Sequence, residues 1–324
     1  MKKNINNIAI IFSDIPSDGS RHPDDSAEST VIEIEKALKP LKTRIIRIPY
    51  PCSKKDILKI IGDLIKFKID YVFNFCEEVN NNSYYEASIV SILDVLEIPY
   101  SGNKPETLFF CRDKMRVSSF LSGFSIPVPK AYVVNHESEI QNLDTPKIIK
   151  PCCEDGSLGI SRENVCKTTK ELKNAFNKMK KIIHGPAIIE DFIAGGEINV
   201  SVLGSRAFAV SEVVYNFNDS HPNILTYEAK WDSESPIYKN STTRCPAQIP
   251  EKLALKVKSI AEEVFKILNM RHYARVDFRL KDGKYPYVID VNPNPCIAPD
   301  SGFVKALKTY SLNYKKIIEI FLSI

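Results

Sequence analysis

Tyr287, Val288 and Ile289 read as an interior strand, yet a carboxylate, Asp290, follows at once, with Asn292, Pro293, Asn294 and Pro295 beyond it. A buried carboxylate is costly unless it is paired or bound to a cation, so this strand end is either wet or faces positive charge. A second carboxylate can join it. The stretch "HYARVDFRL" alternates, which sets Ala274, Val276 and Phe278 on one side of a strand and Arg275, Asp277 and Arg279 on the other. If this strand pairs with Tyr285–Asp290 through a turn at Asp282 and Gly283, Asp277 and Asp290 become neighbours. With the amide oxygen of Asn292 they make an all-oxygen donor set, the kind that suits Mg²⁺. The other reading is a pair of strand-end aspartates beside Arg275.

Two further stretches carry polar groups in useful places. In "PKIIKPCCEDGSLGI" Lys150 ends a strand, and Gly156 and Gly159 flank Ser157 in a loop that can aim backbone N–H groups and a hydroxyl at phosphate oxygens. It matches neither G-x-x-x-x-G-K-[ST] nor G-x-G-x-x-G, and an ordinary surface turn is the competing reading. In "AIIEDFIAGGEINV" the backbone of Asp191 to Ile193 can meet the edge of a base, and Glu197 can accept from hydroxyls; a plain interdomain crossing is the alternative.

These groups need a scaffold, and the hydrophobic pattern outlines one. Ile8–Phe12, Arg44–Ile48 and Tyr71–Phe75 read as strands between helical stretches at Glu28–Leu41, Ile57–Phe67 and Tyr85–Leu96, a βαβ pattern that implies a parallel sheet. A helix from Pro105 through Leu121 follows, then Pro127 and Pro129, and strands at Ala131–Val134 and Lys147–Lys150. From about Glu197 come strands Ile198–Leu203 and Ala207–Val214, a helix Glu251–Leu268, the two carboxylate-bearing strands and a closing helix Tyr314–Leu322. With 324 residues, more than one domain is expected: 1–103, 104–195 and 196–324.

Composition narrows the class. The chain is 44% hydrophobic and 26% charged, without low-complexity segments or a fixed repeat. No apolar run approaches the roughly 20 residues of a membrane helix, and Met1–Asn7 lacks the apolar stretch of a secretory leader, so a cytoplasmic protein away from membranes is expected. Eight cysteines without metal-ligand spacing, two of them adjacent at Cys152 and Cys153, read as free thiols. The net charge of +4 is spread rather than clustered, which argues against nucleic acid as a partner.

The ordered set "DSAEST", "LEIPYSG", "RDKMRVSSFLSGFSIPVP", "IIKPCCEDGSLGI", "IIEDFIAGGEINV", "YEAKW", "ARVDF" and "IDVNPNP" resembles the D-alanine:D-alanine ligase branch of the ATP-grasp superfamily over nearly the whole chain. The resemblance implies an α/β fold of three domains, an N-terminal parallel-sheet domain and two α+β lobes enclosing ATP. It implies that Lys114 and Lys150 are the nucleotide lysines and that Ser157 lies in the flexible loop closing over the γ-phosphate. Glu190, Asp191, Phe192 and Ile193 match the adenine connector, Glu197 the ribose ligand and Lys230 a further phosphate lysine. Asp277, Asp290 and Asn292 match the magnesium ligands, and Arg275 the arginine that stabilises the transferring phosphoryl group. Glu28 matches the ligand of the first substrate's ammonium and Ser301 that of the second substrate's carboxylate.

The implied activity is ATP-dependent joining of a carboxylate to an amine, releasing ADP and phosphate, on small-molecule substrates; a homodimer is the assembly to test. True D-alanine:D-alanine ligase activity and a non-catalytic ATP-binding protein are the alternatives. Two departures bear on substrate. The family's His-Gly stretch reads "FNFCEEVNNN" here, setting Cys76, Glu77 and Glu78 beside the first-substrate pocket, and Cys296 stands where a glycine is expected. Glu77 and Glu78 either hold an amine or cap the next helix. Cys296 is expected to be small and partly buried, offering its backbone N–H.

Overall fold

The computed structural model describes residues 5–14, 25–39, 41–80, 82–217 and 221–323. The chain runs β1 (Asn7–Ser13), α1 (Asp25–Leu38), β2 (Lys42–Ile48), α2 (Lys54–Lys66), β3 (Tyr71–Phe75) and α3 (Tyr85–Val95). Ile8 to Ile11 are wholly buried, as befits a central parallel strand covered on both faces. The order is β2-β1-β3, with all pairs parallel. Ser53 and Asp56 form a capping box that starts α2.

The helix expected from Pro105 to Leu121 is broken in two. α4 (Pro105–Arg112) ends at Asp113, whose extended backbone leaves the helical region and whose carboxylate accepts from Arg116 N–H to start α5 (Lys114–Gly123). Periodicity passes through such a break because apolar spacing resumes one residue later. The break sets Arg112 and Lys114 at a junction rather than on successive faces of one rod.

β4 (Ala131–Val134), β5 (Lys147–Pro151), β6 (Val165–Cys166), α6 (Thr169–Met179) and β7 (Ala187–Asp191) form an antiparallel sheet in the order β4-β7-β5-β6, with α6 on one face. β8 (Gly195–Leu203), β9 (Arg206–Tyr215), α7 (Tyr227–Trp231), α8 (Pro236–Lys239), β10 (Ser241–Arg244), α9 (Glu251–Ile267), β11 (Tyr273–Lys281) and β12 (Tyr285–Asn292) follow. Their sheet order is β10-β9-β8-β11-β12. Last come α10 (Gly302–Lys308) and α11 (Tyr314–Phe321). Phe303 and Phe321 share a core with Ile8, Ile10 and Phe73, so the chain's end packs on its first sheet. No helix among the described residues is long and apolar enough to cross a membrane.

Candidate active site

The hairpin of β11 and β12 builds one end of the site. Asp282 and Gly283 both take positive φ at its turn, which the Asp-Gly pair favours. The register that follows sets Asp277 directly across from Asp290 and Arg275 across from Asn292. Arg275 makes a two-pronged pair with Asp277, Nε to Oδ1 and Nη2 to Oδ2, both at 2.7 Å. Lys114 Nζ stands 3.9 Å from Asp290 Oδ1. The donor set fits a hard divalent cation: two carboxylates and the Asn292 amide oxygen, which accepts from Asn294 N–H (2.8 Å) and keeps a second lone pair.

A cavity of about 470 Å³ opens beside this hairpin. Every residue of the predicted site set lines it except Glu28 and Ser301. Glu28 lies in α1, but its side chain falls outside the described residues. Ser301 stands off the cavity lining, where its hydroxyl accepts from Val304 N–H and caps α10. Cys296 is exposed on the cavity wall, not partly buried as expected.

Opposite the hairpin, β5 and β7 carry the connector. Lys150 Nζ donates to Glu190 Oε2 at 2.6 Å across neighbouring strands, and Glu190 is buried. Ile193 O accepts from Arg279 Nε (2.6 Å), and Glu197 Oε2 accepts from Arg279 Nη1 (3.1 Å) and from the Tyr215 hydroxyl (3.3 Å). Arg279 therefore holds the connector and the Glu197 carboxylate in one frame. It was not among the predicted site residues, although the alternation of "ARVDFRL" sets it on the same side as Arg275 and Asp277.

The loop between β5 and β6 closes the side wall. Gly156, Ser157 and Gly159 all have positive φ, which bends the loop sharply back on itself. Ser157 Oγ donates to Leu225 O (2.9 Å) and Trp231 Nε1 donates to Gly156 O (2.9 Å), so the loop rests on the segment around α7. Lys114 Nζ donates to Glu154 O (2.6 Å) and pairs with Asp155 Oδ1 (3.3 Å).

Electrostatics concentrate here. Burial alone would lower the Lys114 ammonium, but Asp290 and Asp155 hold it well above its ordinary value. Burial would raise the Asp155 carboxyl, but Lys114 and Arg112 keep it below the usual range. Lys230 is lowered, by burial first and then by the charge of Arg275. Glu86, unsuspected from sequence, is buried at the wall between Arg112 and Asn294, and burial pushes it up to about 7 against the pull of Arg112.

At the far end Glu77 and Glu78 line the cavity with Ser13, Thr30 and Phe75. Neither caps α3: the cap position is Tyr84, without a side-chain cap, so the helix-capping alternative fails. Cys152 and Cys153 are free thiols. With Asp113 they bring three ligand atoms within 4.8 Å of one another. None of the three lines the cavity, and Cys152 Sγ donates to Asp113 Oδ1 (3.4 Å).

Residues 127–323 match the family model described as D-ala D-ala ligase C-terminus, a span that covers β4 to α11 and most of the cavity wall. The chain belongs to this ATP-grasp ligase family. It is 28% identical over 249 residues to an uncharacterised protein of Sinorhizobium fredii, covering 76% of this chain and 72% of that one. It is 26% identical over 239 residues to a D-alanine–D-alanine ligase of Dechloromonas aromatica, covering 72% and 74%. Its fold is that of the D-alanine–D-alanine ligase of Bacillus anthracis, with a TM-score of 0.76 at 23% identity over 98% of this chain and 96% of that one. Residues of both antiparallel sheets line the cavity.

Proposed function

We propose that the protein is an ATP-dependent carboxylate–amine ligase that forms a peptide or amide bond through an acyl phosphate and releases ADP and phosphate. The observation that carries this reading is the convergence on one cavity of Lys114, Lys150, Lys230 and Arg275 with the facing pair Asp277 and Asp290. Four cations around two carboxylates suit a polyphosphate with a divalent ion, and family membership supplies the reaction class.

Asp277, Asp290 and Asn292 would hold Mg²⁺, which, when bound, supplies positive charge to the nucleotide's phosphates. A carboxylate is a poor electrophile. Its oxygen attacks the γ-phosphorus, the bond from phosphorus to the β-phosphate oxygen breaks, and the acyl phosphate so formed has a good leaving group. An amine then attacks the carbonyl carbon; the C–N bond forms, the C–O bond to phosphate breaks, and the amine's proton passes to the departing phosphate. Lys114, Lys150 and Lys230 bind and orient the phosphates, while Arg275 balances charge spreading over the transferring group. The loop bearing Ser157 keeps water from the acyl phosphate. Glu190 to Ile193 and Glu197 hold the nucleoside, the latter two fixed by Arg279. The reading sets the work in the cytoplasm, where ATP is supplied.

The substrates differ from a pair of D-alanines. Glu77 and Glu78 at the far end favour an ammonium or a more extended amine and oppose an added negative charge. Competition of kcat/KM between paired D-alanine and a panel of amino acids and amines tests this. We expect D-alanine to lose; its winning by about tenfold, roughly 1.4 kcal/mol of transition-state binding, would make the protein an ordinary wall-precursor ligase.

A further inference from the structure

Arg112 ends α4 with its guanidinium almost fully enclosed, 7% exposed. Nη1 donates to Asp155 Oδ2 (2.7 Å), and Nη2 to Glu86 Oε2 (3.1 Å) and to Ser83 O (3.3 Å). The contacts continue beyond Glu86. Its Oε1 accepts from Asn294 Nδ2 (2.7 Å), and Asn294 N–H donates to Asn292 Oδ1 (2.8 Å). One unbroken series of hydrogen bonds therefore joins the loop after β5, the end of α4, the start of α3 and the turn after β12. An enclosed ion pair is a poor way to add stability, because apolar side chains of similar volume often do as well. In some proteins such pairs instead fix the register of the pieces they join.

Asp155 has two cationic partners, one per oxygen: Lys114 on Oδ1 and Arg112 on Oδ2. They differ in what else they face. Lys114 also faces Asp290 at the metal end, so incoming phosphates compete with Asp155 for it. Arg112 is held from behind by Glu86 and Ser83 and stays where it is. We propose that Arg112 is a positioning residue for the phosphate-binding loop, keeping Asp155, and through it Ser157, in register with Asn292 when Lys114 turns to the nucleotide. This rests on the ligase reading above for the identity of the nucleotide site. Arg112 touches no reacting atom; it acts through Asp155 and Glu86.

The test has a readout independent of turnover. Trp231 is the only tryptophan of the chain, and it donates to Gly156 O in the same loop, so its fluorescence reports loop position. Mg·ATP is titrated into the wild type, Arg112→Met, Asp155→Asn and the double variant, with steady-state ADP release measured in parallel in the presence of a panel of amino acids and amines taken in pairs. Asp155→Asn acts on a half-exposed loop side chain and keeps the fold even if Arg112→Met, which strips Glu86 of its partner, does not. Expected are a saturable fluorescence change in the wild type, a shift of its midpoint and of KM for ATP by about tenfold in each single variant, and a double variant no worse than the worse single. Arg112→Lys should recover part of the loss. Wild-type titration and KM in Asp155→Asn, or strictly additive effects in the double variant, overturn the proposal. Absence of ADP release in the wild type, with the fluorescence pattern intact, overturns the ligase reading instead.

Discussion

Asp277 and Asp290 face each other across a strand pair, yet each has a cation beside it: Arg275 at 2.7 Å for the first, Lys114 at 3.9 Å for the second. Their mutual repulsion is largely compensated before any metal arrives. Asp290→Asn should therefore leave stability within about 1 kcal/mol, since the Lys114 contact is long and partly solvated. It should lower kcat by roughly 10²-fold or more, the usual cost of losing one preorganised charge contact. Thermal melting with steady-state kinetics checks both, and an unchanged kcat sinks the metal assignment. The carboxylate pair was legible because strand alternation and an Asp-Gly turn fix which side chains face each other. Arg279 was half legible: alternation gave its face, but its partners Ile193, Gly195 and Glu197 on one stretch and Asn223 on another come from two distant segments. Ser301 caps α10 by accepting from Val304 N–H, a local role the rule that serine caps helices would have supplied and the resemblance did not.

Most strands and helices were readable as elements because their apolar runs are short, bounded and periodic. The break at Asp113 was not, and it decides where Arg112 and Lys114 point. A glycine governs another junction. Gly195 starts β8 at φ +140, and a Cβ built there would lie 2.0 Å from Leu280 O on β11, a backbone atom that cannot swing aside. Its own carbonyl accepts from Arg279 Nη2 (2.7 Å). Gly195→Ala should cost at least about 2 kcal/mol, from positive-φ strain and the clash together. It should also raise KM for ATP, because Arg279 loses its grip on the connector. Denaturant unfolding gives the first quantity and initial rates the second; a variant as stable as the parent would show that β8 shifts without penalty.

Across the whole molecule, the segment after α3 is tied to the two ends of the β11–β12 hairpin by polar contacts. Asn103 Nδ2 donates to Tyr273 O (2.9 Å) and Pro293 O (2.6 Å), and Gly102 N–H donates to His272 Nδ1 (3.1 Å). Such long-range joints were invisible in the sequence, since nothing local couples residue 102 to residue 272. Burial, and then the charge of Arg271, lower the His272 imidazole to about 4 from an ordinary value near 6.5. Between those values the unfolded chain binds the proton and the folded one resists it. Stability from this group is therefore present above pH 6.5 and lost as pH falls towards about 4, by up to about 3 kcal/mol. His272→Asn, which tolerates the positive φ here, should flatten that part of the stability profile; an unaltered profile would assign the loss to other groups.

The central claim is the chemistry itself, and one measurement meets it most directly. Purified protein is incubated with Mg·ATP and a panel of amino acids and amines taken in pairs, with nucleotide products and product mass followed together. The account predicts ADP and phosphate in equal amounts, with an amide whose mass is the sum of the two partners less one water. AMP and pyrophosphate as the products, or ADP without any amide, would contradict it.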